Sequence, residues 1–359
     1  MSNTALVRPS REPIPPLAAR SLLVVVAILI LWALVIGSRV TNQSDQGDPQ
    51  TTDLRLYQSI AARVEGGEPY YRAAVAEQLA QGYPVDPSVT VRLPTTTLVN
   101  TVMGERGAQL LMLALGVVAA WCALVRFEHA ARSRAEWAGA MLLLVGAIAV
   151  PLAPGGTLFS ESWASLLLLL AALVGPRRHP WVTLGLVVAA VLFREMALIF
   201  IGPTVIMLWV GGHRRAALAW LGFAMAFVGG YFLVHEGLVQ EAVALSQADS
   251  VRESEGWVRF GGWPLVVDYV RRITLLNLLP YWVAAVLVPM AALGLVLRRS
   301  PTTTAMAVGA SGFMVAFMVI GRTNTAYWGL LYAPLVLAGL AFAPRALVTL
   351  ADSVRPRAD

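Results

Sequence analysis

A succession of long apolar runs constrains the fold of this chain more than any other feature. The runs occupy residues 21–38, 107–125, 138–153, 162–175, 181–193, 196–211, 216–235, 279–297, 302–321 and 327–344. A helix needs about 20 apolar residues to cross the hydrocarbon core of a bilayer, and most runs approach that length. Only 13% of the 359 residues are charged, against about 25% in soluble domains. A soluble enzyme, a nucleic-acid-binding protein and a disordered segment are therefore excluded.

The arginines predict how these runs are oriented. All 27 basic residues are Arg, and a cytoplasmic N-terminus places 15 of them on the cytoplasmic side. Short cytoplasmic loops are enriched in Arg and Lys in helical membrane proteins. We therefore expect an all-α polytopic membrane protein of about ten transmembrane helices, with both termini cytoplasmic, in a bacterial inner membrane. The net charge of +6 then reflects this bias, and no nucleic-acid partner is expected.

The runs and the arginines together predict the domain organisation. Residues 1–20 form a cytoplasmic tail, residues 21–345 form one transmembrane domain, and residues 346–359 form a second cytoplasmic tail. Two long loops within the domain, 40–106 and 236–278, lie on the extracytoplasmic side. Both loops are long enough to fold.

Helical spacing of apolar residues predicts secondary structure inside both loops. In the first loop we expect helices over 53–64, ended by Gly66-Gly67, and over 70–81. In the second loop we expect helices over 238–248 and 266–279. Both loops are therefore predicted to be partly helical.

Ionisable residues at the outer ends of apolar runs are the first candidate functional groups, because charge is costly near hydrocarbon. Asp53 opens the first predicted loop helix, where capping that helix is the alternative role. Glu161 lies at the start of a run. Arg194-Glu195 joins two short runs, 181–193 and 196–211, which are expected to meet near the outer face. Adjacent residues of a helix do not face each other, so a mutual ion pair between these two is not expected.

Other polar residues on this face have simpler alternatives. Arg92 and Arg322 suit bidentate phosphate binding, although anchoring to lipid headgroups is the more common role of such arginines. Asp45 and Asp48 could join Asp53 around a divalent cation, but their spacing matches no fixed metal motif. Their simpler and preferred interpretation is as solvated loop acids. His235-Glu236 is interpreted as ordinary polarity at the end of a run.

Three short motifs resemble those of the GT-C superfamily, which comprises polytopic glycosyltransferases that use polyprenyl-phosphate sugars. The similarity is greatest to the family-87 mannosyltransferase-like group. The residues that carry it are Asp53, Tyr57, Gly66-Gly67, Pro69-Tyr70, Phe159-Ser160-Glu161 and Phe193-Arg194-Glu195. The chain departs from the family pattern at Arg92-Leu93-Pro94, where an aromatic-Pro element is usual. It also lacks the acid that many members carry next to Asp53.

The resemblance implies a GT-C-like fold and a membrane glycosyltransferase. Its partners would be membrane lipids, a polyprenyl-phosphate sugar donor, and a glycan or lipid acceptor whose hydroxyl attacks the sugar with inversion. Asp53 would be the catalytic general base. Arg194 would bind the donor phosphate, with Arg92 and Arg322 as alternatives. Tyr57, Tyr70, Glu161 and Glu195 would contact substrate. A divalent metal is possible but not indicated.

Two other classes of function stay open. A lipid or sugar transporter requires polar or charged groups at the centres of several spans, whereas the candidate groups here collect at one face. A degenerate GT-C-like scaffold without catalytic activity requires that Asp53 and Arg194 form no acid–phosphate pocket.

Overall fold

The computed structural model of the protein describes residues 14–44, 49–246 and 260–355. Within these residues every regular element is helical, which confirms the predicted all-α class. The helices are α1 (Pro16–Ser44), α2 (Pro49–Glu65), α3 (Tyr70–Ala80), α4 (Thr95–Ala130), α5 (Arg134–Ala149), α6 (Ser160–Val174), α7 (Pro180–Phe193), α8 (Ile201–Val210), α9 (Arg214–Gly230), α10 (Glu236–Leu245), α11 (Gly262–Arg272), α12 (Tyr281–Arg298), α13 (Pro301–Ile320), α14 (Ala333–Leu337) and α15 (Ala343–Val354).

Six helical stretches in the described residues are long and apolar enough to cross a membrane. They are Pro16–Gly37, Ser88–Ala130, Arg214–Leu245, Tyr281–Arg298, Pro301–Ile320 and Ala333–Val354. Three further apolar helical segments are shorter, namely Ser160–Val174, Pro180–Phe193 and Glu195–Val210. The membrane character of the chain is thus supported, whereas the count of about ten spans stays a prediction.

The last predicted run, 327–344, is not one continuous α-helix. A 3-10 turn over Ala326–Leu331 precedes α14, and a second over Ala338–Phe342 separates α14 from α15. The first turn brings Tyr327 towards the N-terminal ends of α4 and α6. Hydropathy alone could not show this break, because the whole run is apolar.

Helix α4 bends sharply at Gly104, which has φ 69° and ψ 166°. Glycine accepts this backbone conformation because it has no Cβ. The bend separates a short N-terminal segment, residues 95–103, from the long remainder of α4. In that segment Thr96 and Asn100 are buried, whereas Val102 is 82% exposed. A polar inward face and an apolar outward face are typical of a helix that lies against lipid.

Helices from the two predicted loops pack into a small unit of their own. Helix α2 begins at Pro49, four residues before its predicted start at Asp53. Helix α3 ends one residue before the end of its predicted range, 70–81. Helix α10 continues α9 through a π-helical turn, Tyr231–His235. The three helices share a hydrophobic core that comprises Leu56, Ile60, Ala73, Ala74, Val75, Val85, Val91, Val239 and Ala242. We call residues 49–94 and 236–246 the cap. Segments from both predicted loops therefore build it.

Candidate functional site

A cavity of about 110 Å³ lies between the cap and the N-terminal ends of α4 and α6. Its polar and aromatic lining consists of Asp53, Tyr57, Tyr70, Gln78, Tyr83, Thr90, Arg92, Thr96, Thr97, Ser160 and Tyr327. Apolar side chains complete the wall: Leu56, Ile60, Ala74, Pro84, Leu93 and Leu158. The structure therefore brings together four of the residues singled out from the sequence, namely Asp53, Tyr57, Tyr70 and Arg92.

Asp53 lies on the cavity wall with 8% of its surface exposed. The Tyr83 hydroxyl donates a hydrogen bond of 2.8 Å to Asp53 Oδ1. Burial raises the pKa of Asp53, and the hydrogen bond from Tyr83 and the charge of Arg92 offset part of that rise. Because α2 begins at Pro49, Asp53 does not occupy the N-cap, so the capping alternative for this residue is wrong.

Arg92 is held by a different group at each of its three nitrogens. Nε donates to the Tyr57 hydroxyl at 3.2 Å and Nη2 to the Tyr327 hydroxyl at 3.2 Å. Nη1 donates to Glu161 Oε1 at 2.7 Å. The Tyr70 hydroxyl also donates to the Arg92 backbone carbonyl at 2.9 Å. The loop before α4 is therefore fixed with its guanidinium group at the cavity.

Glu161 joins Arg92 to a second guanidinium group. It is fully buried at the start of α6, and Arg194 Nε lies 2.8 Å from its Oε1 as an ion pair. Arg194 Nη1 in turn contacts Glu195 Oε1. The expectation that adjacent Arg194 and Glu195 would not pair is wrong. Arg194 has an extended backbone, with φ −146° and ψ 110°, so the spacing rule for helices does not apply to it.

We call Arg92, Glu161, Arg194 and Glu195 the charge network. Its two guanidinium groups and two carboxylates balance each other in a largely buried region, as buried charges must. Arg194 is 2% exposed and is not among the residues that line the cavity. Asp53 and Arg194 therefore do not share this cavity, which is the condition stated above for a non-catalytic scaffold. Of the arginines proposed to bind phosphate, Arg92 is the one that reaches the cavity beside Asp53.

Arg322 lies apart from this arrangement. Its backbone N–H donates to the Tyr269 hydroxyl at 2.7 Å, and its carbonyl oxygen accepts from the same hydroxyl at 2.5 Å. It is not among the cavity-lining residues. The geometry thus places Arg322 near α11.

Several residues at the site were not singled out from the sequence. Tyr83 contacts Asp53 and lies in a polar loop. Tyr327 contacts Arg92 and lies in an apolar run. His235 is 3% exposed, and its ring contacts the Tyr71 hydroxyl at 3.0 Å and the Ser88 carbonyl at 3.2 Å. The interpretation of His235 as ordinary interface polarity is therefore wrong, because it holds α10 to the rest of the cap.

The described residues contain no group of three or more His, Cys, Asp and Glu side chains that could hold a metal ion. Asp45 and Asp48, the acids considered as partners of Asp53, lie outside the described residues. We therefore assign no metal ligands at the cavity.

Comparisons of the chain with protein-family models, with curated proteins and with solved structures gave no match. The GT-C resemblance thus stays a prediction from the motifs.

Proposed function

We propose that the protein is a membrane glycosyltransferase that moves a sugar from a polyprenyl-phosphate donor to an acceptor hydroxyl on the extracytoplasmic face. The observation that carries the proposal is the placement of Asp53 and Arg92 on the wall of one cavity. A general base and a cation for a leaving phosphate are the two groups that such a transfer needs. The motif resemblance to GT-C enzymes supports the same reaction.

Asp53 acts as the general base in this proposal. Its carboxylate takes the proton of the acceptor hydroxyl while that oxygen forms a bond to the sugar C1. The bond from C1 to the phosphate oxygen breaks, and its electron pair leaves with the polyprenyl phosphate, so the configuration at C1 inverts. The raised pKa of Asp53 suits this role, because a base works best when its pKa is close to the working pH. Tyr83 holds the carboxylate in place.

Arg92 stabilises the leaving phosphate in this proposal. Its Nη1 now contacts Glu161, which also pairs with Arg194. A bound phosphate can replace Glu161 as the partner of Arg92, because Arg194 keeps Glu161 neutralised during the exchange. We therefore propose Arg92, rather than Arg194, as the phosphate-binding residue. Arg194 then acts through Glu161, as a positioning residue.

The test is sugar transfer by membranes that contain the protein, assayed with a panel of radiolabelled polyprenyl-phosphate sugars. Asp53→Asn keeps the size of the side chain and an acceptor for Tyr83 but removes the base. Loss of general-base help commonly lowers the rate by about 10² to 10⁴. The matched control is Asp352→Asn, which changes an exposed carboxylate on α15 and should leave transfer unchanged.

Two outcomes would contradict the proposal. Near-normal turnover by correctly inserted Asp53→Asn protein would remove Asp53 from the mechanism. Absence of transfer by the wild-type protein with every donor would favour the non-catalytic scaffold. A transporter is not favoured, because the charge network lies where α6 begins and where α7 ends.

A further inference from the structure

A second cavity, of about 660 Å³, is lined by residues between 121 and 138, where the end of α4 meets the start of α5. We call it the hairpin groove. The cavity beside Asp53 lies at the opposite end of α4, and the helix from residue 104 to residue 121 alone separates the two by roughly 25 Å. The volume of the groove lies within the range of about 300–1,000 Å³ that is usual for ligand sites. The hairpin groove is therefore a separate candidate binding site.

Much of the groove wall is apolar. Trp121, Leu124 and Val125 come from α4, whereas Trp137 and Ala138 come from α5. Trp121 is 66% exposed although its ring is large and apolar. Tryptophan is enriched where a membrane meets water, because one part of the ring is apolar and the other is polar. This wall therefore suits a ligand with an apolar chain.

Two arginines and one acid also line the groove, namely Arg132, Arg134 and Glu128. All three residues are exposed. Neither guanidinium group makes an ion pair within the part of the chain that the structure describes. The other nearby acid, Glu136, accepts from the Arg132 backbone N–H at 2.8 Å and pairs with Arg345 at 3.1 Å. Positive charge therefore exceeds negative charge on the groove wall.

An exposed apolar stripe on α4 leads to the groove. Leu113, Val117, Trp121 and Val125 follow each other at intervals of four residues, so they share one face of the helix. Each of them is at least 43% exposed. The stripe belongs to the stretch Ser88–Ala130, which is long and apolar enough to cross a membrane. A chain that lies along the stripe has its polar end at the groove.

We propose that the hairpin groove binds an anionic phospholipid, with its headgroup beside Arg132 and Arg134 and its acyl chains against Trp121 and along α4. Guanidinium groups donate paired hydrogen bonds to phosphate oxygens. Basic pockets between transmembrane helices bind acidic headgroups in the same way. The apolar wall favours a lipid over a phosphate ion in solution. The site goes beyond the proposed sugar transfer and does not depend on it, because it lies at the other end of α4.

The decisive variant is the double substitution Arg132→Gln and Arg134→Gln. The matched control is Arg178→Gln with Arg215→Gln, which removes the same charge from two other predicted cytoplasmic loops. Both control arginines are exposed and lie outside the groove. The probes are dioleoyl phosphatidylglycerol, which is anionic, and dioleoyl phosphatidylcholine, which has the same chains and no net charge. Each is titrated separately into purified protein in detergent, and native mass spectrometry measures the affinity of the first bound lipid.

Wild-type protein should bind phosphatidylglycerol more tightly than phosphatidylcholine. The groove variant should lose about fivefold in affinity for phosphatidylglycerol per arginine removed, or about 25-fold in all. Its affinity for phosphatidylcholine should change much less, and the control variant should bind both lipids as wild type does. Phosphatidylglycerol should also raise the melting temperature of wild type and of the control, but not that of the groove variant, because a ligand stabilises the folded state that binds it.

Trp121→Ala tests the apolar wall. Because the side chain is mostly exposed, its loss should leave the fold intact while weakening both lipids. Trp181→Ala is the control, since Trp181 is 59% exposed and does not line the groove. Inorganic phosphate at millimolar concentration should not displace phosphatidylglycerol.

Three outcomes would overturn the site. Equal wild-type affinity for the two lipids would show that the arginines do not select charge. An equal loss of affinity in the groove variant and in its control would indicate attraction by net charge rather than a site. Displacement of the lipid by inorganic phosphate would indicate a site for a soluble anion. None of these measurements uses sugar transfer, so failure of the proposed function would leave the lipid site standing.

Discussion

Tyr83 and Asp53 form the most informative pair at the scale of single residues. The carboxyl group is buried on the cavity wall and accepts its hydrogen bond from the phenol. Burial favours the neutral acid, whereas the hydrogen bond favours the carboxylate. The two effects oppose each other, and burial is the larger.

This balance predicts a pH dependence for Tyr83→Phe. A base must be ionised, so transfer should rise with pH through the pKa of Asp53, which lies above its ordinary value. Loss of the Tyr83 hydrogen bond raises that pKa further, so the acid limb of the kcat/KM profile should move to higher pH. The control is Tyr281→Phe, which removes a hydroxyl that donates to the Pro264 carbonyl. An unmoved acid limb in Tyr83→Phe would exclude Asp53 as the titrating base.

The raised pKa also affects folding. The folded protein holds the Asp53 proton more tightly than the unfolded chain does. The contribution of Asp53 to the free energy of unfolding therefore decreases as pH rises from the ordinary pKa to the raised one, and is constant above it.

Part of the site could be predicted from the sequence, because charge near hydrocarbon is conspicuous. Asp53 and Arg92 were found in this way, and both line the cavity. Gln78 and Thr96 were not, since neutral polar residues between two apolar runs give no signal about burial. Tyr327 was hidden by the apolar run around it, and only the broken helix explains its position.

At the scale of elements, the charge network ties together segments that are distant in sequence. Arg92 precedes α4, Glu161 lies in the first turn of α6, and Arg194 directly follows α7. The sequence predicted that two short segments meet at Arg194-Glu195, and the helix does break there. It could not predict the partner of Arg194, because the extended backbone at that residue sets the direction of the side chain.

Arg194→Ala should lower the free energy of unfolding strongly. The change leaves Glu195 without its guanidinium partner and Glu161 with Arg92 alone. Removal of one partner from a buried ion pair costs about 3–5 kcal/mol. Adding Glu195→Gln should recover part of the loss, because it removes the carboxylate that has no other ion pair in the described residues. Thermal unfolding of the purified variants measures both effects.

The exposed pair of Arg63 and Glu68 provides the comparison. Its side chains are 38% and 30% exposed, so Glu68→Gln should change the melting temperature little. If Arg194→Ala were as stable as wild type and bound donor more weakly, Arg194 would be a phosphate ligand after all. The role of Arg92 would then be overturned.

At the scale of the whole molecule, the site and the predicted cytoplasmic arginines belong to different ends of the helices. Arg126 donates to the carbonyls of Leu173 and Val174 at the end of α6, whereas Glu161 marks its beginning. Arg298 likewise donates to the Ala130 carbonyl at the end of α4. Cations are favourable at the C-termini of helices, so these arginines stabilise the fold in addition to biasing its orientation.

Reporter fusions test the predicted orientation. Fusions after residues 131 and 213 should report cytoplasm, and fusions after residues 85 and 250 should report the opposite side. The reason is the excess of Arg in the short loops that include 131 and 213. A fusion at 213 on the far side would mean that residues 181–211 cross the membrane once, which would invert every later loop.

The shared core of the cap has a consequence for the order of biosynthesis. Val85 is buried against the same cluster as Val239 and Ala242, about 150 residues later in the chain. Ribosomes add about 5–20 residues per second, so α2 and α3 wait roughly 10–30 seconds for their last helix to emerge. During that interval the face of α3 that packs against α10 has no native cover. A nascent chain halted before α10 should therefore have a protease-sensitive first loop. The cavity forms later still, because Tyr327 is one of its lining residues.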